Sequence, residues 1–298
     1  MKTSVIESVG VAAASSFEET LKLADLDWQP EADTISGTAT GIQALRKKLL
    51  YRSDTKAPLG IVGEDYPPSD PRQFLQSQYE FAESIDGTVV RAGFLPERSR
   101  AFAFIKLKQD ISFPKNIREK GDITNVFIHS VDGWDGGTPR KSQLFMERLT
   151  CKNGMTTREL SSDLWVSHTE RQNIRYAAAK TIFLASAKEQ IDIVQKQFVH
   201  LAQVRMTLPE CREFLGKLMP GDSTRTENQR ENMLELFIFG DGNQGRSRWD
   251  ALNAVTEHVT HHRVHRHTDL TAPEINRFES VLSRNDTLRT RAYELLLN

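Results

Sequence analysis

The sequence predicts an α+β protein with an N-terminal antiparallel β-meander that packs a helix, followed by a largely α-helical C-terminal half. Two observations predict this division. Residues 89–130 form short runs of alternating or apolar side chains separated by Pro, Gly and Asn, which is typical of antiparallel strands. Residues 171–206 contain no proline or glycine and repeat apolar side chains at helical spacing, which is typical of a long helix.

The first half contains the predicted strands and one helix. Residues 1–54 predict an acidic, partly ordered lead-in segment, in which ALRKKLLYRSD suits either a strand or a short helix. The segment from Pro71 to Ile85 predicts an amphipathic helix that begins after Asp70. Strands are predicted in VVRAGFLP, RAFAFIKLKQDI, ITNVFIHSV and KSQLFMERLTC. Residues 55–170 therefore predict one antiparallel sheet with a helix packed on it, the expected DNA-binding core.

The sequence pattern predicts that the second half of the chain, residues 171–298, forms a helical domain. One long helix or two abutting helices cover residues 171–206. Further helices are predicted in LPECREFLGKLM, from Thr226 to Phe239, from Ser247 to about Val264, and from Pro273 to Leu297.

Composition and charge limit the classes of protein to consider. The chain has 298 residues, a net charge of -1 and two cysteines, which favours a reduced, cytoplasmic protein without a cysteine-built zinc site. No apolar run is long enough for a membrane span, and the N-terminus does not resemble a secretory signal. Residues 91–175 carry 15 basic and 10 acidic side chains, so a local phosphate-binding surface is possible on a slightly acidic molecule.

Residues 235–267 support three different interpretations, of which the first is a dinucleotide site. Gly240, Gly242 and Gly245 have the spacing of a dinucleotide-binding loop. That fold needs a strand before the glycines and another after the helix, whereas the preceding segment has helical spacing and no apolar strand follows. The glycines are therefore expected to end one helix and to allow a tight turn into the next.

The second interpretation is a metal site. On a continuous helix, His258, His261, His262 and His265 share one face. His258 and His262 are the weak candidates for metal ligands, but a catalytic site also needs a third ligand and a carboxylate, and Glu257 is expected to point away. A histidine face exposed to solvent or to a partner is the expected arrangement, with no cofactor and a divalent metal left open. Asp132 and Asp135 are likewise expected to stabilise a turn in preference to binding Mg²⁺.

The third interpretation is a nucleic-acid surface. Arg246 and Arg248 lie at a predicted helix start, where backbone N–H groups could receive a phosphate. Basic residues interleaved with aromatic residues are typical of grooves that bind single strands. The candidate contacts are Arg98, Arg100, Lys106, Lys108, Arg140, Lys141, Arg148, Lys152, Arg158, Arg171, Arg175, Arg246 and Arg248.

An ordered series of motifs resembles a family of proteins. GRSRWDALNAVTEHVTHHR resembles the helix signature of domain-of-unknown-function family 932, whose members are encoded by phages and plasmids. LGIVGEDYPPSDPRQFLQSQYEF, RSRAFAFIKL, SVDGWDGGTPRKSQLFMERLTCKNGM and WVSHTERQNIRYAAA resemble four further elements of that family. Its helix signature matches a corner formed by Trp249, Asp250, Asn253, Glu257 and His261.

The resemblance implies a mobile-element protein whose order of elements is similar to that of phage single-strand annealing proteins of the Redβ and Erf kind. The leading hypothesis is a non-enzymatic protein that binds and anneals single-stranded DNA as a ring or filament of identical subunits. It would act in the cytoplasm of a bacterial host without nucleotide hydrolysis. The alternatives are an interaction protein that binds a host or phage partner, such as an anti-defence factor or virion component, and a histidine-metal hydrolase.

Overall fold

The computed structural model describes residues 7, 10–37, 39–114, 116–117, 122–150, 152–155, 164–168, 172–262, 275 and 287–298. The strands are β1 (Val11–Ala12), β2 (Pro30–Ser36), β3 (Gln43–Arg52), β4 (Pro58–Gly63), β5 (Thr88–Leu95), β6 (Arg100–Lys106), β7 (Ile111–Ser112), β8 (Ile123–Gly133), β9 (Arg140–Arg148), β10 (Asn153–Met155) and β11 (Leu164–Val166). The α-helices are α1 (Phe17–Leu23), α2 (Pro71–Ser84), α3 (Gln172–Gln203), α4 (Leu208–Leu218), α5 (Thr224–Phe239), α6 (Arg248–Glu257) and α7 (Thr287–Leu297). This mixed architecture confirms the predicted α+β class.

An eight-stranded antiparallel sheet forms the centre of the fold. Its order is β1-β5-β6-β8-β9-β10, with β7 paired to β8 and β11 paired to β9. β8 and β9 are buried along most of their length, because both faces of the sheet are covered, and each strand carries consecutive apolar residues at its centre. One face carries Phe102, Phe104, Phe127 and Phe145, and the opposite face packs against the helices. The four predicted strands of the meander are all present.

A second sheet, β2-β3-β4, joins the N-terminal residues to the centre of the fold. β3 pairs with β4, so the expected division between residues 54 and 55 falls inside a pair of hydrogen-bonded strands. Leu21, Leu26 and Trp28 are buried in one cluster with Phe74 and Trp134. The described part of the first 54 residues therefore contributes to the core.

The helices of the second half pack on one face of the large sheet. α3 is a single helix of 32 residues, which resolves the choice between one long helix and two abutting ones. Its buried residues include Phe183, Ile191 and Phe198, within the same core cluster as Ile128 and Leu144 of the sheet. Asp70, Thr207 and Ser247 cap α2, α4 and α6 through their side chains. None of the helices in the described residues is long and apolar enough to cross a membrane.

The predicted helix from Ser247 to Val264 differs in its second half. α6 ends at Glu257 and continues as a π-helical turn from His258 to His262. Thr260 donates its hydroxyl to the carbonyl of Thr256 at 2.6 Å, a side-chain bond that competes with regular helix geometry. Side chains in this turn therefore do not follow the 100° spacing from which the histidine face was predicted. His265 and most of the helix predicted from Pro273 lie outside the described residues.

Candidate functional site

Three motif segments converge on a buried carboxylate at the end of β8. Asp132 is fully buried and accepts both Nε and Nη2 of Arg140 at 2.7 Å. The Nε2 atom of His168 lies 3.2 Å from the other carboxylate oxygen and 3.0 Å from the carbonyl of Thr138. The ring of Tyr66 lies 5.1 Å from the imidazole of His168, and its hydroxyl donates to the carbonyl of Gly133. We call Tyr66, Asp132, Arg140 and His168 the carboxylate cluster.

The electrostatics of this cluster favour charged Asp132. Burial by itself raises the pKa of this carboxyl, but the positive charge of Arg140 and the hydrogen bond from His168 outweigh burial, so the pKa lies below its ordinary value. Burial also raises the pKa of Tyr66, with a further contribution from the charge of Asp132, so this phenol stays protonated. Such a cluster can hold a fixed ion pair, and it has no exposed nucleophile.

An open cavity of about 260 Å³ lies beside the carboxylate cluster, between α2 and α3. Arg140 and Tyr176 are its buried residues. The guanidinium of Arg140 lies between the rings of Phe74 and Tyr176, at 5.7 and 5.4 Å from their centroids. The cavity is lined by Gln73, Gln76, Ser77, Glu80, Arg140, Tyr176, Ala177 and Lys180. Most of its lining residues carry a polar group, apolar atoms form the larger part of its surface, and its mouth is open to solvent, so a small molecule with a polar edge can enter.

The family-signature corner is a buried polar joint between the sheet and α6. Asp250 is fully buried and accepts the backbone N–H groups of Gln244, Arg246 and Ser247 at 3.1–3.2 Å. A carboxylate therefore occupies the place where a phosphate was expected at this helix start. Gly242 and Gly245, with φ of +73° and +63°, allow the tight turn that delivers these N–H groups. The segment before the turn is α5 and not a strand, which confirms the turn interpretation over the dinucleotide one.

Arg148 connects this corner to the sheet. Its guanidinium pairs with Asp122 at 2.7 Å and donates to the carbonyl of Gly242 at 2.9 Å. It also lies over the ring of Trp249, 5.6 Å from the centroid. Asn253 donates to the carbonyl of Trp249 at 2.8 Å, and Asn153 of β10 donates to Asn253 at 3.4 Å. These contacts join the motif segment of β9 and β10 to the motif segment of α6. The corner therefore has a structural role, which is to attach α6 to the sheet.

The structure corrects two of the predicted contacts with the DNA backbone. Arg140 and Arg148 are 2% and 3% exposed, because buried carboxylates pair with them inside the fold, so they cannot lie along a DNA backbone. Arg100 pairs with Asp135, which also accepts two backbone N–H groups of its turn, as the turn interpretation expects.

The other predicted cations are dispersed. Lys106 pairs with Asp110, Lys108 with Asp86, and Lys152 with Glu7. Arg98 and Lys141 are half-buried, Arg175 and Arg246 are exposed, and Arg248 donates to the carbonyl of Leu296 at 2.6 Å. Arg158 and Arg171 lie outside the described residues. Arg175 lies near the start of α3, one residue before Tyr176 of the cavity lining.

The histidines of the π-helical turn do not form the expected exposed face. His258 is buried and shares a hydrogen bond of 2.7 Å with Asn232, whereas His261 is half-buried and His262 is exposed. Glu257 was expected to point away, yet its Oε1 atom lies 4.0 Å from His262 Nε2 because the wider turn brings these two residues together. Within the described ranges, no group of three His, Cys, Asp or Glu side chains could hold a metal ion.

Comparison with known proteins places the chain in one family. A family model described as a domain of unknown function (DUF932) matches residues 58–282, so the chain belongs to this family. No curated protein and no solved structure matches it. The matched range contains the carboxylate cluster, the cavity and the corner. Tyr66 and His168 lie in motif segments that carry the resemblance, but the sequence gave no reason to choose them, because they meet Asp132 only in the folded chain. Asp132 was expected to stabilise a turn, whereas it pairs with Arg140 at the end of β8.

Proposed function

We propose that this protein binds single-stranded DNA and promotes annealing as a homo-oligomer in the cytoplasm of a bacterial host. The observation that carries the proposal is the open cavity between α2 and α3, whose lining combines apolar surface with polar side chains. Exposed Arg175 lies at one end of α3, and Lys180, one turn further on, lines the cavity. Arg175 offers a cationic approach to a hydrogen-bonding recess, a combination that suits one nucleotide of a flexible strand.

The burial of Arg140 and Arg148 changes how such binding would work. A groove built from all the predicted cations would rely on phosphate contacts and counterion release. With these two arginines paired inside the fold, contacts to bases carry more of the affinity, and contacts to phosphates carry less. Single strands are favoured over duplexes, because their bases can be presented without opening base pairs.

The proposal is tested by fluorescence anisotropy with a labelled oligonucleotide, as a single strand and as the matching duplex. We expect tighter binding of the single strand and faster pairing of complementary strands in the presence of the protein. Electron microscopy with and without DNA checks for rings or filaments. A DNA-indifferent monomer would overturn the proposal and would favour the alternative, an interaction protein of a mobile element.

A further inference from the structure

We propose that the cavity between α2 and α3 is a pocket for a single nucleobase, an inference that rests on the proposed binding of single-stranded DNA. Gln73, Gln76 and Glu80 lie at helical spacing on one face of α2, opposite Ala177 and Lys180 of α3. Two helices thus flank the recess, and Arg140 and Tyr176 are its buried residues. The walls of the cavity therefore belong to regular elements, and the hydrophobic core fixes the positions of these elements.

The size of the cavity limits the ligand. Pockets for drug-sized molecules occupy about 300–1,000 Å³. At about 260 Å³, this cavity lies just below that range and suits one planar base with part of its sugar. A dinucleotide or a peptide segment would exceed it.

The charges around the cavity favour an uncharged ligand over a phosphate. Arg140 is already paired with Asp132, so its positive charge is compensated from behind. The ammonium of Lys180 lies 4.7 Å from the centre of the Phe81 ring. Burial lowers the pKa of Lys180 below its ordinary value, and the nearby negative charge of Glu80 opposes this only in part. Glu80 thus offsets the remaining cation of the lining. A free anion would gain little here, whereas a neutral base can use the polar groups of the lining.

Hydrogen-bonding capacity points to the edge of a base. Gln76 donates one amide hydrogen to Glu80 at 3.1 Å, which leaves its carbonyl oxygen and a second N–H for a ligand. A neighbouring donor and acceptor on one side-chain amide match the paired donor and acceptor on a base edge, as in the bidentate contact of glutamine with adenine. We expect exposed Arg175, the residue before Tyr176 in α3, to contact the phosphate that follows this base.

The test uses the full chain and oligonucleotides that contain 2-aminopurine, a fluorescent base whose emission changes when it leaves stacked, solvated surroundings. Ala177→Trp fills the cavity without removing a polar group. Ala178→Trp adds the same side chain at the next exposed position, which does not line the cavity, and serves as the matched control. Circular dichroism and thermal unfolding check that both variants fold.

We expect Ala177→Trp to weaken oligonucleotide binding about tenfold, the loss of two neutral hydrogen bonds, and to abolish the emission change, with Ala178→Trp unchanged. If the wild-type protein binds DNA and Ala177→Trp binds equally well with the same emission change, the pocket is wrong and the proposed function stands. If no oligonucleotide binds, the proposed function fails. The nucleoside of 2-aminopurine then decides the pocket: binding that Ala177→Trp abolishes supports it, and no binding overturns it.

Discussion

Replacing Asp132 by Asn should destabilise the protein strongly. The substitution keeps the shape of the side chain and removes the charge that compensates Arg140. Asp132 is fully buried and Arg140 is 2% exposed, so neither water nor salt can replace the lost partner. Breaking a buried ion pair on one side costs about 3–5 kcal/mol. His168 also donates a hydrogen bond to this carboxylate, so we expect the loss in the free energy of unfolding to lie near the upper end of that range.

Urea unfolding followed by circular dichroism measures this loss as a shift of the midpoint at unchanged slope. Asp65→Asn is the matched control, because its carboxylate is 87% exposed beside Arg46 and its loss should stay within about 0.5 kcal/mol. The double variant Asp132→Asn/Arg140→Met removes both partners, so we expect it to be more stable than Asp132→Asn alone. A loss below about 1 kcal/mol in Asp132→Asn, or additive losses in the double variant, would refute the buried-pair argument.

Three further predictions concern pH and the corner. Burial, with a contribution from the charge of Lys141, lowers the pKa of His129 to about 3, so its neutral form stabilises the fold above the unfolded pKa of about 6.5. Stability should fall by on the order of 1 kcal/mol per pH unit as the pH drops below about 6, and His129→Gln should show a flatter profile in unfolding measured between pH 7 and 4. Asp250→Ala removes the carboxylate that accepts hydrogen bonds from three buried backbone N–H groups. We expect the free energy of unfolding, measured by thermal unfolding, to fall by at least about 2 kcal/mol, and to fall less in Asp250→Asn. Arg148→Met leaves Asp122 uncompensated and should cost about 3–5 kcal/mol, whereas unchanged stability would show that the joint does not depend on this pair.

Local patterns predicted most of the regular elements. α2 was predicted from Pro71 because Asp70 provides a cap and proline suits the first turn, and both features act within a few residues. The meander was predicted because alternation along a strand depends on its own residues. Where the N-terminal segment docks could not be predicted, because Leu21 and Trp28 have no periodic pattern and their burial depends on Trp134, more than 100 positions further along the chain.

The candidate site was harder to predict than the fold. Arg140 and Arg148 were predicted to contact the DNA backbone because basic and aromatic residues alternate in this section, but both faces of the sheet are covered, so these two arginines pair with carboxylates inside the protein. Arg140 also packs against Tyr176, a contact between a strand and a helix that no local pattern encodes. The histidine face failed for a different reason, since one π-helical turn changes the direction of every side chain in it.

The salt dependence of oligonucleotide binding tests the central claim most directly. Single-strand binding loses about 0.7 in the logarithm of the affinity, per tenfold rise in salt, for each phosphate contact. With Arg175 as the contacting cation, the account predicts a slope of about −0.7, whereas a groove of all the predicted cations would give about −9. A shallow slope that becomes shallower still in Arg175→Gln supports base-directed binding at the cavity. A slope steeper than about −5, or an affinity for single strands too weak to measure, would contradict it.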